Sequence, residues 1–219
     1  MTFARSERAD LCDLLDQVGP DAPTLCRGWD AHDLATHLWI RENDPLGASG
    51  ISVKPLSGLN ERRMAEVRQR WKFPELVDRI RNGPARFSVF AIPGVDEGAN
   101  TTEFFVHHED VRRAGDQPQT ARDLGPEVEE WMWRRLKLLG RAWFRRVQVG
   151  LVLERLCSAD AGGGEPDTIR AVSGASIVTL VGQPSELVLY AHGRASVAEI
   201  KLIGEPEAIQ VLTSTDLRP

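Results

Sequence analysis

The apolar period of this chain changes once, near residue 147, and that change limits the folds open to it. Upstream, apolar residues recur at helical spacing. Leu11, Leu14, Leu15 and Val18 form one such stripe over 4–18, closed by Gly19-Pro20. A second helix is expected to start after Asp30 as N-cap and to run through DLATHLWIREN to about Asn43, with Pro45 beyond it. Residues 60–82 give two short helical pieces divided near Phe73-Pro74, and TTEFFVHHEDVRRA predicts a helix over 101–114 that Gly115 ends. Pro126 opens a longer helix to about 146. Downstream, 147–157, 175–181 and 197–203 are rich in β-branched residues and predict strands, with helices at PSELVLYAHG and EPEAIQVLTS. The expected fold class is α+β, with a helical bundle over 1–147 and a small α+β domain over 148–219.

Composition narrows the function. Apolar residues make up 42 % and charged residues 27 % of 219 residues, as in ordinary globular proteins. The net charge of -5 argues against a nucleic-acid partner, whose binding domains carry a basic face. Arg5, Glu7, Arg8, Asp10 and Asp13 interrupt any signal-like apolar run, and no stretch approaches the roughly 20 apolar residues of a membrane span. Cys12, Cys26 and Cys157 are odd in number and lack CxxC spacing, which suits free thiols in a reducing cytoplasm. A cytoplasmic protein with no membrane partner is the expectation.

Glu103 and His107 lie four apart on one predicted helix, so both side chains leave the same face one turn apart. Their stripe continues through Ala99, Val106, Val111 and Ala114, which turns it inward. A carboxylate and an imidazole are costly there unless their charge and polar atoms are met, and a divalent cation meets both. His37 follows Leu34 by three positions and adjoins Leu38, which places it on the inward stripe of the second helix as a third ligand. His32 is rotated about 140° from it and is expected in the exposed first turn, while His108 is about 100° from His107. Asp110 is placed to accept the other N–H of His107. Two histidines and one carboxylate leave a tetrahedral zinc one open position, as in catalytic sites, although nickel, iron and manganese accept the same donors. The plain alternative is a buried ion pair of Glu103 with Arg41 or Arg112.

The segments TLCRGWDAHDLATHL, ending in REND-P, and TTEFFVHHEDVRRA resemble the two metal motifs of the mycothiol-dependent maleylpyruvate isomerase family, within the DinB-like superfamily. The C-terminal SELVLYAHGR resembles the small sterol-carrier-like domain that often accompanies that bundle. The likeness covers nearly the whole chain and is nearest to an actinobacterial branch described only as metal-binding. It implies an up-and-down four-helix bundle with metal at one end, held by His37, Glu103 and His107. It further implies a low-molecular-weight thiol, mycothiol, as cosubstrate with an electrophilic small molecule, and a functional arginine in the C-terminal domain, for which Arg194 is the candidate. The resulting expectation is a zinc-dependent S-transferase or isomerase (with Ni2+ or Fe2+ as other metals). A non-catalytic metal-dependent ligand-binding or regulatory protein, and a metal-dependent hydrolase, are the alternatives. The loop at 46–58 and the segment AIPGVDEGAN match nothing specific to maleylpyruvate, so substrate identity does not transfer.

Other features read as structural. Cys26 is expected to pack under Trp29, and Trp131 and Trp143 in the core or at the domain junction. Arg134, Arg135, Lys137, Arg141, Arg145 and Arg146 form a solvated face with partial pairing to Glu127, Glu129 and Glu130. His192 beside Gly193 is read as a C-terminal helix cation. No GxSxG, GxxxxGK[ST] or GxGxxG is present.

Overall fold

The computed structural model describes residues 2–44, 57–84, 88, 95–156 and 166–218. The expected loop at 46–58 therefore lies almost wholly outside the described residues, as do Cys157, the glycines at 162–164 and the side chain of Ala99. The chain is mixed α+β and divides into two compact units, Met1–Gln119 and Thr120–Pro219.

The first unit is helical among its described residues. It contains α1 (Phe3–Val18), α2 (Ala31–Asn43), α3 (Ser57–Arg70), α4 (Phe73–Arg81) and α5 (Val95–Arg112). Helix α1 packs along α5 and α4, and α2 along α3 and α4. Leu11, Leu15, Leu34, Leu38, Leu76, Ile80 and Phe104 are fully or almost fully buried where these faces meet. Cys12 belongs to the same core, and burial pushes its thiol up to about 12.

Helix α2 starts where Asp30 predicts it. The Asp33 amide donates to Asp30 Oδ1 at 2.8 Å, and the Asp30 amide donates back to Asp33 Oδ2 at 3.3 Å, a reciprocal cap. Arg68 of α3 braces both carboxylates at 2.8 and 2.7 Å, and its hydrogen bond holds Asp30 down at about 2. The start of α2 is thereby set by side chains, and with it the angular position of His37 two turns along. Helix α5 begins at Val95, not at 101, so part of AIPGVDEGAN is helical. Gly115, just past its end, takes φ 82°, a conformation that side chains with a Cβ rarely adopt.

The second unit is built from α6 (Pro126–Trp143), β1 (Gly150–Arg155), β2 (Thr168–Val172), β3 (Ile177–Gly182), α7 (Pro184–Ala191), β4 (Ile200–Ile203) and α8 (Pro206–Thr213). The sheet order is β2-β1-β3-β4, with β1 and β3 parallel and both outer pairs antiparallel. Strand β2 was not among the expected elements. Only Ala171 of its five residues is buried, so the alternation that marks a half-buried strand is weak. Helix α6, expected as the last helix of the bundle, packs on α7 and β2. Trp133 is its fully buried tryptophan, donating through Nε1 to Asp167 Oδ2 at 2.6 Å. Trp131 and Trp143 are only half-buried, the first beneath the Arg135 guanidinium and the second against the His192 ring. Glu129 does not pair with the basic face. Its carboxylate accepts from the Ser185 amide at 2.9 Å and hydroxyl at 2.7 Å at the start of α7, where burial raises its pKa. No helix among the described residues is long and apolar enough to cross a membrane.

Candidate metal centre

His37 on α2 and the pair Glu103 and His107 on α5 converge on one point in the first unit. One donor atom from each lies within 4.8 Å of the other two. His37 Nε2 is 3.1 Å and His107 Nε2 3.3 Å from the same atom, Glu103 Oε1. The two imidazoles meet edge to face at 5.1 Å, and the Trp29 indole also lies 5.1 Å from the His37 ring. Both histidine side chains are at most 10 % exposed, while that of Glu103 is 27 % exposed, so solvent reaches the centre on the carboxylate side.

The expected partner of His107 is in place. Asp110 Oδ2 lies 2.9 Å from His107 Nδ1, and the Asp110 side chain is wholly buried. A carboxylate on Nδ1 holds the proton there and turns Nε2 toward Glu103 and His37. Arg41 also reaches the centre, its Nε 3.4 Å from Glu103 Oε1, while Nη1 donates to Asn100 Oδ1. Arg112 does not. It pairs with Glu109 at 2.7 Å, which removes one of the two ion pairs weighed against a metal.

The protonation states follow from these contacts. Burial lowers the His37 pKa, only partly offset by its contact with Glu103, so this ring is neutral near pH 7. Burial alone would raise Glu103, yet hydrogen bonds from His107 and His37 outweigh it and hold the carboxylate well below its ordinary range. Burial would lower His107, but Asp110, Cys26 and Glu103 together hold it well above its ordinary value. In the metal-free protein the His107 imidazolium thus sits between two carboxylates.

These residues fit a divalent cation. A tetrahedral ion with zinc bond lengths spaces its nitrogen and oxygen donors about 3.3 Å apart, close to the 3.1 and 3.3 Å found here. The donor set, two imidazoles and a carboxylate, is that of an open catalytic site. Asp110 also makes a direct test of its own role. Asp110→Asn is expected to weaken zinc binding about 10–100-fold, as loss of an outer partner does elsewhere, measured by competition with a chromophoric chelator.

The other histidines stand apart from this point. His108 Nδ1 lies 2.9 Å from Glu7 of α1, a buried pair. His32 is half-buried, not exposed, with its ring against Phe73. In the second unit, His192 Nδ1 lies 2.8 Å from the Val188 carbonyl, and Arg194 Nη1 donates to the His192 carbonyl at 2.5 Å. Cys26, expected to pack under Trp29, also reaches this centre. Its Sγ donates to Asp110 Oδ2 at 3.1 Å and lies 3.9 Å from His107 Nδ1. No spacing rule joins positions 84 apart, and the ring of Trp29, three residues on, was the only local guide. Neither family models nor curated proteins nor solved structures yield a match to this chain.

Proposed function

We propose that the first unit is a DinB-like bundle that holds a divalent cation, zinc by preference, through His37, Glu103 and His107, and that it serves thiol chemistry as an S-transferase or isomerase. The observation that carries the metal is the meeting of two buried imidazole nitrogens on one carboxylate oxygen, with the outer nitrogen of His107 already engaged by Asp110. Bound there, a divalent cation supplies the charge that keeps a thiol ionised near neutral pH. The chain's own residues do the rest. His37, neutral and clamped by Trp29, offers a fixed nitrogen. Glu103 contributes negative charge on the exposed side, where a small molecule enters. Asp110 fixes the ring of His107. The thiol class, mycothiol, and a role for Arg194 of the second unit, read as the sterol-carrier-like domain, come from the sequence resemblance.

Turnover is tested by incubating zinc-loaded protein with mycothiol and a panel of electrophiles, beside His107→Ala. Thioether or isomerised product formed by the wild type alone supports the enzyme. Saturable binding without product identifies a non-catalytic ligand-binding protein, and equal rates in both proteins end the thiol-activation proposal.

The acid side of metal binding follows from His107. A cation must displace the proton that this ring retains, so apparent zinc affinity is expected to rise with pH while His107 is protonated in the metal-free protein. The slope is about tenfold per pH unit for one displaced proton. Calorimetric titrations in buffers of different ionisation enthalpy count that proton directly. No proton release near neutral pH would contradict the assignment.

A further inference from the structure

The ring of His107 has donors gathered on both of its edges. Nε2 faces His37 and Glu103, while Nδ1 faces a second group made of Cys26 and Asp110. In that group the sulfur is 3.1 Å from Asp110 Oδ2 and 3.9 Å from His107 Nδ1, and the carboxylate oxygen is 2.9 Å from the nitrogen. A tetrahedral zinc-sized ion spaces sulfur about 3.6 Å from nitrogen or oxygen, and nitrogen about 3.3 Å from oxygen. Each separation is therefore within about 0.5 Å of what such an ion requires, a distance side chains cover by small torsional changes. The backbone already holds the sulfur in place. The Leu25 amide donates to the Asp110 carbonyl at 3.0 Å, and the Trp29 amide to the Cys26 carbonyl at 3.0 Å. Cys26 is half-buried and Asp110 fully buried.

We infer that Cys26, Asp110 and His107 Nδ1 form a second cation position, selective for thiophilic ions, that shares the His107 ring with the first. Thiolate donors favour zinc, cobalt and cadmium over magnesium or manganese, so the two positions differ in what they accept. Filling the second position releases the Cys26 S–H proton and the His107 Nδ1 proton to solvent. With both positions filled, His107 bridges them as an imidazolate. The inference needs the placement of His107 but not the thiol chemistry proposed above.

Cobalt titration tests it, because a cobalt–thiolate bond adds a near-ultraviolet charge-transfer absorption that nitrogen and oxygen donors do not. The titration is run in full-length Cys157→Ser protein, which leaves Cys26 and the core Cys12 as the thiols. Two equivalents of cobalt are expected to bind, with the sulfur absorption complete only at the second. Adding Cys26→Ser should abolish that absorption and one equivalent while keeping the visible bands of the first position. Adding Glu103→Gln instead should weaken the first position and leave the sulfur absorption. Absence of sulfur absorption at saturating cobalt, or its persistence in Cys26→Ser, would overturn the second position. Its loss in Glu103→Gln would also overturn it, since one ion would then account for both donor groups. If Cys26→Ser binds no cobalt while Glu103→Gln keeps the sulfur absorption, the first position fails and the second stands.

Discussion

Replacing His107 with alanine is expected to lower zinc affinity by more than about 100-fold, beyond what loss of an outer partner costs. Two of the three donors would remain, His37 and Glu103, and neither is held by a carboxylate of its own as His107 is by Asp110. Competition against a chromophoric chelator measures the loss. Thermal unfolding supplies an independent readout, because a ligand that binds only the folded state stabilises it by about 4 kcal/mol at a free concentration 1,000 times its dissociation constant. The wild type should therefore gain stability on adding zinc and lose it on adding a chelator, while His107→Ala should gain no more than about 1.4 kcal/mol at the same zinc concentration. The metal-free variant will itself be less stable, since the wholly buried Asp110 carboxylate loses its 2.9 Å contact with His107 Nδ1. The change on adding metal, not the absolute midpoint, decides the matter. An affinity within threefold of the wild type would sink the three-donor centre.

Most of that centre was legible because its parts follow local rules. Glu103 and His107 are one helical turn apart, and any amphipathic reading puts them on one face. His37 was placed by the stripe of Leu34 and Leu38, which are fully and almost fully buried. Asp30, Pro126 and Pro184 start helices for reasons confined to a few residues, and the structure starts helices there. What was illegible depends on distant groups. Helix α5 extends back to Val95 through Gly98, a poor helix former, and its extra turns carry Asn100 into the core. There the Asn100 amide donates to Glu42 Oε1 at 2.6 Å and its carbonyl accepts from Arg41, so tertiary bonds hold a segment that propensity does not. Which tryptophan of α6 is buried was misjudged for the same kind of reason. Trp133 has an acceptor for its indole N–H in Asp167, 34 positions away, while Trp131 lies on the face opposite the buried stripe and Trp143 is the last residue of the helix. Cys26 joins the centre through its contacts with His107 and Asp110 of α5, 81 and 84 positions away.

Arg8→Ala is expected to destabilise the first unit by about 3–5 kcal/mol, the usual cost of breaking a buried ion pair from one side. Arg8 of α1 grips Glu42 of α2 with two hydrogen bonds of 2.6 Å, and the two side chains are 6 % and 1 % exposed. The guanidinium also donates to the Ile80 carbonyl of α4 at 3.2 Å and lies over the Phe104 ring of α5 at 4.3 Å. One side chain thus joins four helices, and alanine would leave the Glu42 carboxylate in the core without the guanidinium, holding the 2.6 Å hydrogen bond from the Asn100 amide. Arg8→Lys keeps the charge but not the paired geometry, and should cost less, about 1.5–3 kcal/mol, the value of one charged hydrogen bond. Urea unfolding of the metal-free protein measures both. The effect should also reach the metal. Glu42 positions Asn100, Asn100 accepts from Arg41, and Arg41 lies against Glu103, so a displaced Glu42 alters the environment of a ligand without touching it. A loss of stability much larger than the loss of zinc affinity is the expected signature, because Arg8 braces the helices and donates nothing to the ion. Equal losses would instead mean that the bundle and the metal centre form as one cooperative unit, with Arg8 as part of both.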